Sequence, residues 1–204
     1  MKRMLWLALI ALALPMAAFA NSGGVNFTNS GGTLTGSSAG MSLSGSVLIA
    51  VNGLNGLGLV TGNDLGNLGF STGTLMSGSL QMGGTFMAGG TFTINGNGAS
   101  GIPNTVIFNG TFAGPVTWSL MTLANGTHNY TLTGSISGTW LGGASVNGAT
   151  VQLTINTGKG FFNGSTTIAS GDTNIDAVPE PGSLTLVGAG LVGLAGILRR
   201  KLKA

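Results

Sequence analysis

Side chains that could carry acid–base, nucleophilic or metal chemistry are scarce in this sequence. Between the two chain ends there is one histidine, His128, one lysine, Lys159, and three aspartates. His128 closely follows an Asn-Gly pair, and neither a Ser-His-Asp order nor a metal-ligand spacing surrounds it, so we predict a solvated turn histidine. Asp64, within Gly-Asn-Asp-Leu-Gly, is predicted to be a turn residue. The residue types therefore predict a protein without enzymatic activity and with no catalytic residues.

One acidic cluster has a pattern that could bind a cation. Asp172, Asn174 and Asp176 alternate as the oxygen ligands of a calcium loop do. The sixth position of that pattern requires glycine and the twelfth requires glutamate, but they are Ala177 and Ser183 here. We interpret the segment as a linker with scattered acids, and we predict no metal site and no cofactor.

The elements that would position any site are predicted to be strands. Apolar residues alternate with Thr, Ser and Asn at period two, which is typical of strands with one buried and one wet face. The clearest runs are Met41 to Val51, Val106 to Phe112, Val116 to Leu120, Tyr130 to Trp140 and Val151 to Ile155. We therefore predict an all-β domain, an antiparallel sandwich or barrel. A β-solenoid is the alternative, because Gly-, Thr- and Asn-rich repeats also suit it.

Turn signals separate these runs. Asn-Gly pairs recur along the domain and favour type I′ hairpin turns. The pairs at Asn109 and Asn163 lie inside apparent strands, and the sequence leaves open whether they form turns. Gly-Gly-Thr-Phe occurs at 83–86 and again at 89–92, which predicts a local hairpin with both aromatic rings on one face.

Composition excludes several classes of protein. Charged residues make up only 5% of the chain while glycine reaches 39 residues, so this is not an average cytosolic protein. The basic residues lie at the two ends, and without a basic patch on the domain we predict no nucleic-acid partner. Because there is no cysteine, the domain must be stabilised by packing and strand pairing alone.

The N-terminal segment has the order of a secretory signal peptide. Lys2 and Arg3 precede the apolar stretch 4–14, and a small-residue site formed by Ala18 and Ala20 follows. We predict cleavage by signal peptidase after Ala20. The apolar stretch is short for a membrane span, which favours a cleaved peptide over an anchor.

The C-terminal segment has the pattern of a short membrane span. Residues 183–198 are an uninterrupted apolar run of about 24 Å as a helix, followed by Arg199, Arg200 and Lys201. A basic cluster stays on the cytoplasmic side, so these three residues are predicted to fix the topology and to leave everything before them outside.

The C-terminal features together resemble a known sorting signal. Val178-Pro179-Glu180-Pro181, the apolar span and the basic cluster are similar in order to the PEP-CTERM signal of Gram-negative bacteria that make exopolysaccharide. The resemblance implies that a membrane-embedded exosortase recognises Pro179, Glu180 and Pro181, cleaves near them, and releases or transfers the domain to the cell surface. It implies no catalytic role for these residues.

These observations give five segments and two hypotheses for the domain between the ends. The segments are the signal peptide 1–20, a Gly/Thr/Asn-rich β domain 21–170, a linker with the Pro-Glu-Pro motif 171–182, a transmembrane segment 183–198 and a basic cytoplasmic tail 199–204. One hypothesis is a structural surface or extracellular-matrix protein associated with exopolysaccharide. The other is a carbohydrate-binding module in which Trp118, Trp140 or Tyr130 stack on sugars, although their parity predicts core positions.

Overall fold

The computed structural model describes residues 24–175, and their regular elements are β-strands joined by tight turns. Two single 3₁₀ turns, Leu54–Gly56 and Ala99–Gly101, are the exceptions among these residues. The strands are β1 Val25–Ser30, β2 Thr33–Ser37, β3 Gly40–Asn52, β4 Val60–Thr61, β5 Gly66–Ser71, β6 Leu75–Ser79, β7 Gly83–Phe86, β8 Gly89–Gly96, β9 Val106–Phe112, β10 Val116–Thr122, β11 His128–Trp140, β12 Ser145–Asn156, β13 Ser165–Thr167 and β14 Ser170–Ile175.

Many successive strands continue one another along the same edge of a neighbour. Both β9 and β10 pair with β11. Phe112 of β9 lies opposite Ile136, and Thr117 of β10 lies opposite Thr133. In the same way, β1 and β2 both pair with β3. The consecutive strands β5 and β6 pair with β8 and β7, and β13 and β14 pair with β2 and β1. The described chain therefore forms eight long, bent strands, each antiparallel to the next.

The eight strands close into a barrel. Around the ring the order is β12, β14, β1, β3, β5, β8, β9 and β11, and β11 pairs again with β12. Closure leaves no free edge in the ring, which removes the unpaired backbone groups of an open sheet. The all-β prediction is confirmed in its barrel form. The solenoid alternative is wrong, because the last strand pairs with the first whereas solenoid repeats contact only their neighbours.

Apolar side chains fill the interior, as expected for a barrel of eight strands. Phe70, Phe92, Phe108 and Phe112 form one cluster, with ring centroids 5.6 to 6.1 Å apart. Its edge-to-face contacts add to the free energy gained by burying apolar area. Thr173 Oγ1 is the buried side-chain polar atom that has no hydrogen-bond partner within residues 24–175.

One turn prediction is wrong, and one question that the sequence leaves open is answered by the structure. The two Gly-Gly-Thr-Phe units form no hairpin with each other, because β7 and β8 are consecutive parts of one long strand that pair with β10 and β9. Phe86 and Phe92 are nevertheless both buried. Asn109-Gly110 lies within β9, whereas Asn125-Gly126 forms the turn between β10 and β11.

The boundary of the predicted linker is also wrong. The sequence predicts a linker over 171–182, but residues 171–175 belong to β14, which lies between β12 and β1. Gly171, Thr173 and Ile175 point into the barrel, and the polar residues between them had suggested an exposed tail. The predicted signal peptide and the segments from residue 176 onward lie outside the described residues.

Candidate functional site

The aromatic residues considered for sugar stacking belong to the core. Trp118 and Tyr130 are fully buried and stack on each other with ring centroids 4.8 Å apart, which confirms the parity prediction. Phe162 packs edge-on against Trp118 at 5.4 Å. Trp140 is half-buried against Phe27 at 6.0 Å. These rings therefore do not form an exposed platform.

Hydrogen bonds fix this aromatic cluster to the loops around it. The Trp118 Nε1–H donates to the Leu80 carbonyl at 2.9 Å, and the Tyr130 hydroxyl donates to the Gln81 carbonyl at 2.7 Å. The same hydroxyl accepts the Phe162 N–H at 3.1 Å. The loop between β12 and β13 thus places Phe162 inside one end of the barrel, and this cluster is structural.

His128 is buried, contrary to the prediction of a solvated turn residue. Its side chain is 8% exposed, lies at a hydrogen-bonding distance of 3.0 Å from Thr122 Oγ1, and stacks on the Phe161 ring at 4.4 Å. The Asn-Gly turn ends before it, and His128 is already the first residue of β11. Sequence alone gave no signal for this, because Phe161 comes from a different loop.

The carboxylates of Asp64 and Asp172 accept hydrogen bonds from neighbouring groups of the barrel. Asp64 accepts the Gly66 N–H through its carboxylate at 3.1 Å, which confirms the predicted turn role. Asp172 accepts the Thr28 hydroxyl at 2.8 Å across two paired strands, and Asn174 lies further along β14, so neither belongs to a calcium-type loop. Within residues 24–175, no three His, Cys, Asp or Glu residues come close enough to hold a metal ion.

The outer surface of β10, β11 and β12 carries polar side chains in register. Thr117, Thr133 and Gln152 face one another on the three strands. Ser119, Thr131 and Thr154 form the next row. We call these six residues the hydroxyl face. Rows are about 6.7 Å apart along the strands, and neighbours within a row are about 4.8 Å apart.

The hydroxyl face differs in its hydrogen bonding from two asparagine pairs on the barrel, although the row Thr93, Asn109, Thr139 and Ser145 has free side-chain groups as well. Asn67 pairs with Asn95 and Asn129 pairs with Asn156, so these side chains satisfy each other. By contrast, none of the six side chains of the hydroxyl face bonds to another described residue. Their donors and acceptors are available to solvent or to a ligand.

A shallow groove runs beside the first row of the hydroxyl face. It is lined by Pro115, Thr117, Thr133, Ser135, Thr150 and Gln152, among others. It lies where β9 bends into β10, because Ala113 to Pro115 interrupt the pairing there and only the Ala113 N–H bonds to Ser135. The alternation of threonines with apolar residues predicts the wet side of each strand, but it does not show that the three strands form one face.

The C-terminal residues provide the evidence from known protein families. Residues 177–201 match the family model described as PEP-CTERM protein-sorting motif. The chain carries a PEP-CTERM sorting motif. This confirms the resemblance found in the sequence and marks an exported, cell-surface-directed protein that is sorted by an exosortase.

The sorting motif follows the barrel almost directly. It begins two positions after Ile175, which ends β14 and pairs with Val25, the first residue of β1. The matched range contains Pro179, Glu180 and Pro181 and the basic residues Arg199, Arg200 and Lys201. The roles of these residues, and of Ala18 and Ala20 in cleavage, lie outside the described residues and stay predictions.

No curated protein and no solved structure matches the chain. Between residues 24 and 175 there is no helix long and apolar enough to span a membrane. The predicted span 183–198 lies outside those residues.

Proposed function

We propose that the chain is the precursor of a non-enzymatic surface or extracellular-matrix protein that associates with exopolysaccharide. In this proposal, signal peptidase cleaves after Ala20, and residues 183–198 hold the precursor in the inner membrane with residues 199–204 in the cytoplasm. Exosortase then cleaves near Pro179, Glu180 and Pro181. The barrel reaches the cell surface or the medium.

The contrast between the interior and the exterior of the barrel carries this proposal. Every long strand directs apolar residues inward, while Thr, Ser, Asn and Gln dominate the outer side. Lys159, Asp64 and Asp172 are the ionisable Lys, Asp and Glu residues in the described part. A surface that is almost uncharged but rich in hydroxyls and amides is compatible with hydrated glycans and gives an acid–base catalyst few groups to use.

The position of β14 supports processing without loss of the fold. The motif starts only after the final strand ends, so cleavage at Pro179 to Pro181 leaves all eight long strands intact. Prolines favour an extended, accessible backbone and the single Glu180 adds one charge, which suits recognition by a protease.

The alternative, a carbohydrate-binding module that stacks aromatic rings on sugars, has less support. Trp118 and Tyr130 are buried and Trp140 packs on Phe27. These positions favour a different contact with glycans, through hydrogen bonds on the outer surface of the barrel.

Mass spectrometry of the mature termini tests the proposal. Surface, secreted and exopolysaccharide fractions are prepared from the host with and without its exosortase. We expect a mature chain that begins at Asn21, ends between Ile175 and Gly182, and is enriched with the polysaccharide. Without the enzyme, the tail to Ala204 should remain on membranes.

Two results would contradict the proposal in different ways. A tail that ends at Ala204 in both strains would exclude exosortase processing. A correctly processed chain that is absent from the polysaccharide fraction would exclude the matrix association and leave the sorting intact.

A further inference from the structure

We propose that the hydroxyl face, together with the groove beside it, binds an extended, uncharged polysaccharide that runs across β10, β11 and β12. The inference rests on the proposed exopolysaccharide association, and it adds a place on the barrel and a chemical class of ligand. It is carried by the register, the free hydrogen-bonding groups and the absence of cationic side chains in the two rows.

The register gives the site its direction. Thr85 on β7 faces Thr117, so the first row of the hydroxyl face continues over four strands to Gln152. Strands are about 4.8 Å apart, so this row spans roughly 14 Å with one hydrogen-bonding group per strand. A polymer of hydroxyl-bearing units lying along the row meets a donor or acceptor at every strand.

Free hydrogen-bonding capacity is the second argument. Each threonine hydroxyl offers one donor and two acceptor positions, and Gln152 offers two donors as well as an oxygen. Because these groups have no partner among residues 24–175, a ligand replaces only water and breaks no bond within the barrel. The groove adds contact area below the first row.

Charge decides the class of ligand. From Thr85 to Gln152 and from Ser119 to Thr154, no side chain is ionisable; beyond Gln152 the first row meets Asp172 on β14, an anion that accepts the Thr28 hydroxyl and would repel a polyanion. Polyanions such as acidic glycans or nucleic acids need cations to match their charges, and the hydroxyl face has none. A protein partner would be expected to find apolar and aromatic anchors in the centre of the surface, and these two rows contain none.

Frontal affinity chromatography of the mature protein from the host tests this site. The columns carry hydroxyethyl cellulose, an uncharged glucan, or alginate, an acidic polysaccharide. The test variant is Thr117→Val with Thr133→Val, which keeps the side-chain shape and removes two hydroxyls of the first row. The matched control is Thr33→Val with Thr61→Val, two exposed threonines on strands that pair with β3, on the opposite side of the ring.

We expect the wild type to be retained on the uncharged column only, with little change when salt is raised, because no ion pairs are involved. The test variant should bind at least about tenfold more weakly, since each lost hydrogen bond weakens binding several-fold. The control should bind as the wild type does. Unchanged thermal melting of both variants shows that the barrel is intact.

Three results would overturn the inference. Equal retention of the wild type and the test variant on the uncharged column would exclude this face while leaving the exopolysaccharide association standing. Retention on alginate alone would exclude the uncharged class of ligand. No retention on either column, together with absence from the host's polysaccharide fraction, would overturn the inference and the proposed association together.

Discussion

At the residue scale, the hydrogen bonding of a buried hydroxyl decides whether it stabilises the fold. Tyr130 Oη connects the Gln81 carbonyl and the Phe162 N–H at one end of the barrel. Thr173 Oγ1 is buried without a partner. Removing a bonded group leaves its partners unsatisfied, whereas removing an unbonded one relieves a desolvation penalty. The two residues therefore form a matched pair.

Tyr130→Phe should lower the free energy of unfolding by about 1 to 3 kcal/mol, because two backbone groups lose their partner. Thr173→Val should leave it unchanged or raise it by up to about 1 kcal/mol, since only an unsatisfied hydroxyl disappears. Urea titration gives both values. Hydrogen exchange at the Phe162 amide should become faster in the first variant alone. A larger loss in the second variant would mean that a buried water bonds to Thr173.

The local sequence pattern predicts a residue correctly where its surroundings are also local. Asp64 bonds to the N–H two residues ahead, and Trp118 and Tyr130 lie on the inward parity of their strands. It failed at His128, which is buried by Phe161 from a loop about thirty residues away. No pattern around position 128 carries that information.

At the element scale, bends divide the long strands, and glycine makes close strand approach possible. In β3 the register shifts between Leu43 and Ser46, and Gly45 there has φ +68°, a conformation that other residues rarely adopt. Gly110 on β9 faces Gly138 on β11, and a Cβ at Gly110 would lie 2.2 Å from the Ser137 carbonyl oxygen. Such features let a sheet of eight strands curve and close.

Gly110→Ala should therefore destabilise the barrel by about 2 to 3 kcal/mol, because the new methyl group meets backbone that cannot move aside cheaply. The matched control is Gly58→Ala, where an added Cβ meets no atom within 4 Å. Its stability should stay the same or rise by about 0.4 to 1 kcal/mol. Both are measured by urea unfolding. Equal midpoints for the two variants would contradict the close approach of β9 and β11.

The alternation of apolar and polar residues predicted the strands but not their partners. The repeated Gly-Gly-Thr-Phe units predict a hairpin, yet β7 and β8 are separated only by a bend at Ala88 and pair with β10 and β9, which are themselves consecutive. Period two gives the buried side of a strand. It does not identify the strand with which that strand pairs.

At the scale of the whole molecule, β14 closes the ring just before the sorting motif begins. It pairs with β1 along 171–175 and with β12 along 170–174. Without it, two strand edges and the inner side chains of both neighbours would be exposed, which favours aggregation. Loss of β14 would therefore open the ring.

An exported chain that ends at Ile175 should fold as cooperatively as the mature protein. One that ends at Ala169 should lack a cooperative transition, because the ring is open. Near-UV circular dichroism of Trp118 and Trp140 during urea unfolding distinguishes the two chains. A sharp transition with an unchanged midpoint for the shorter chain would show that β14 is dispensable.

The sequence by itself determined the sorting motif, the all-β class and the inward residues of most strands. These depend on local order and on period-two alternation, which neighbouring residues in the chain fully specify. Tertiary structure alone decided that the sheet closes, that 171–175 is a strand and not a linker, that His128 is buried, and which threonines lie in register. Each of these depends on pairing between residues far apart in sequence, and a one-residue change of register would reverse the faces.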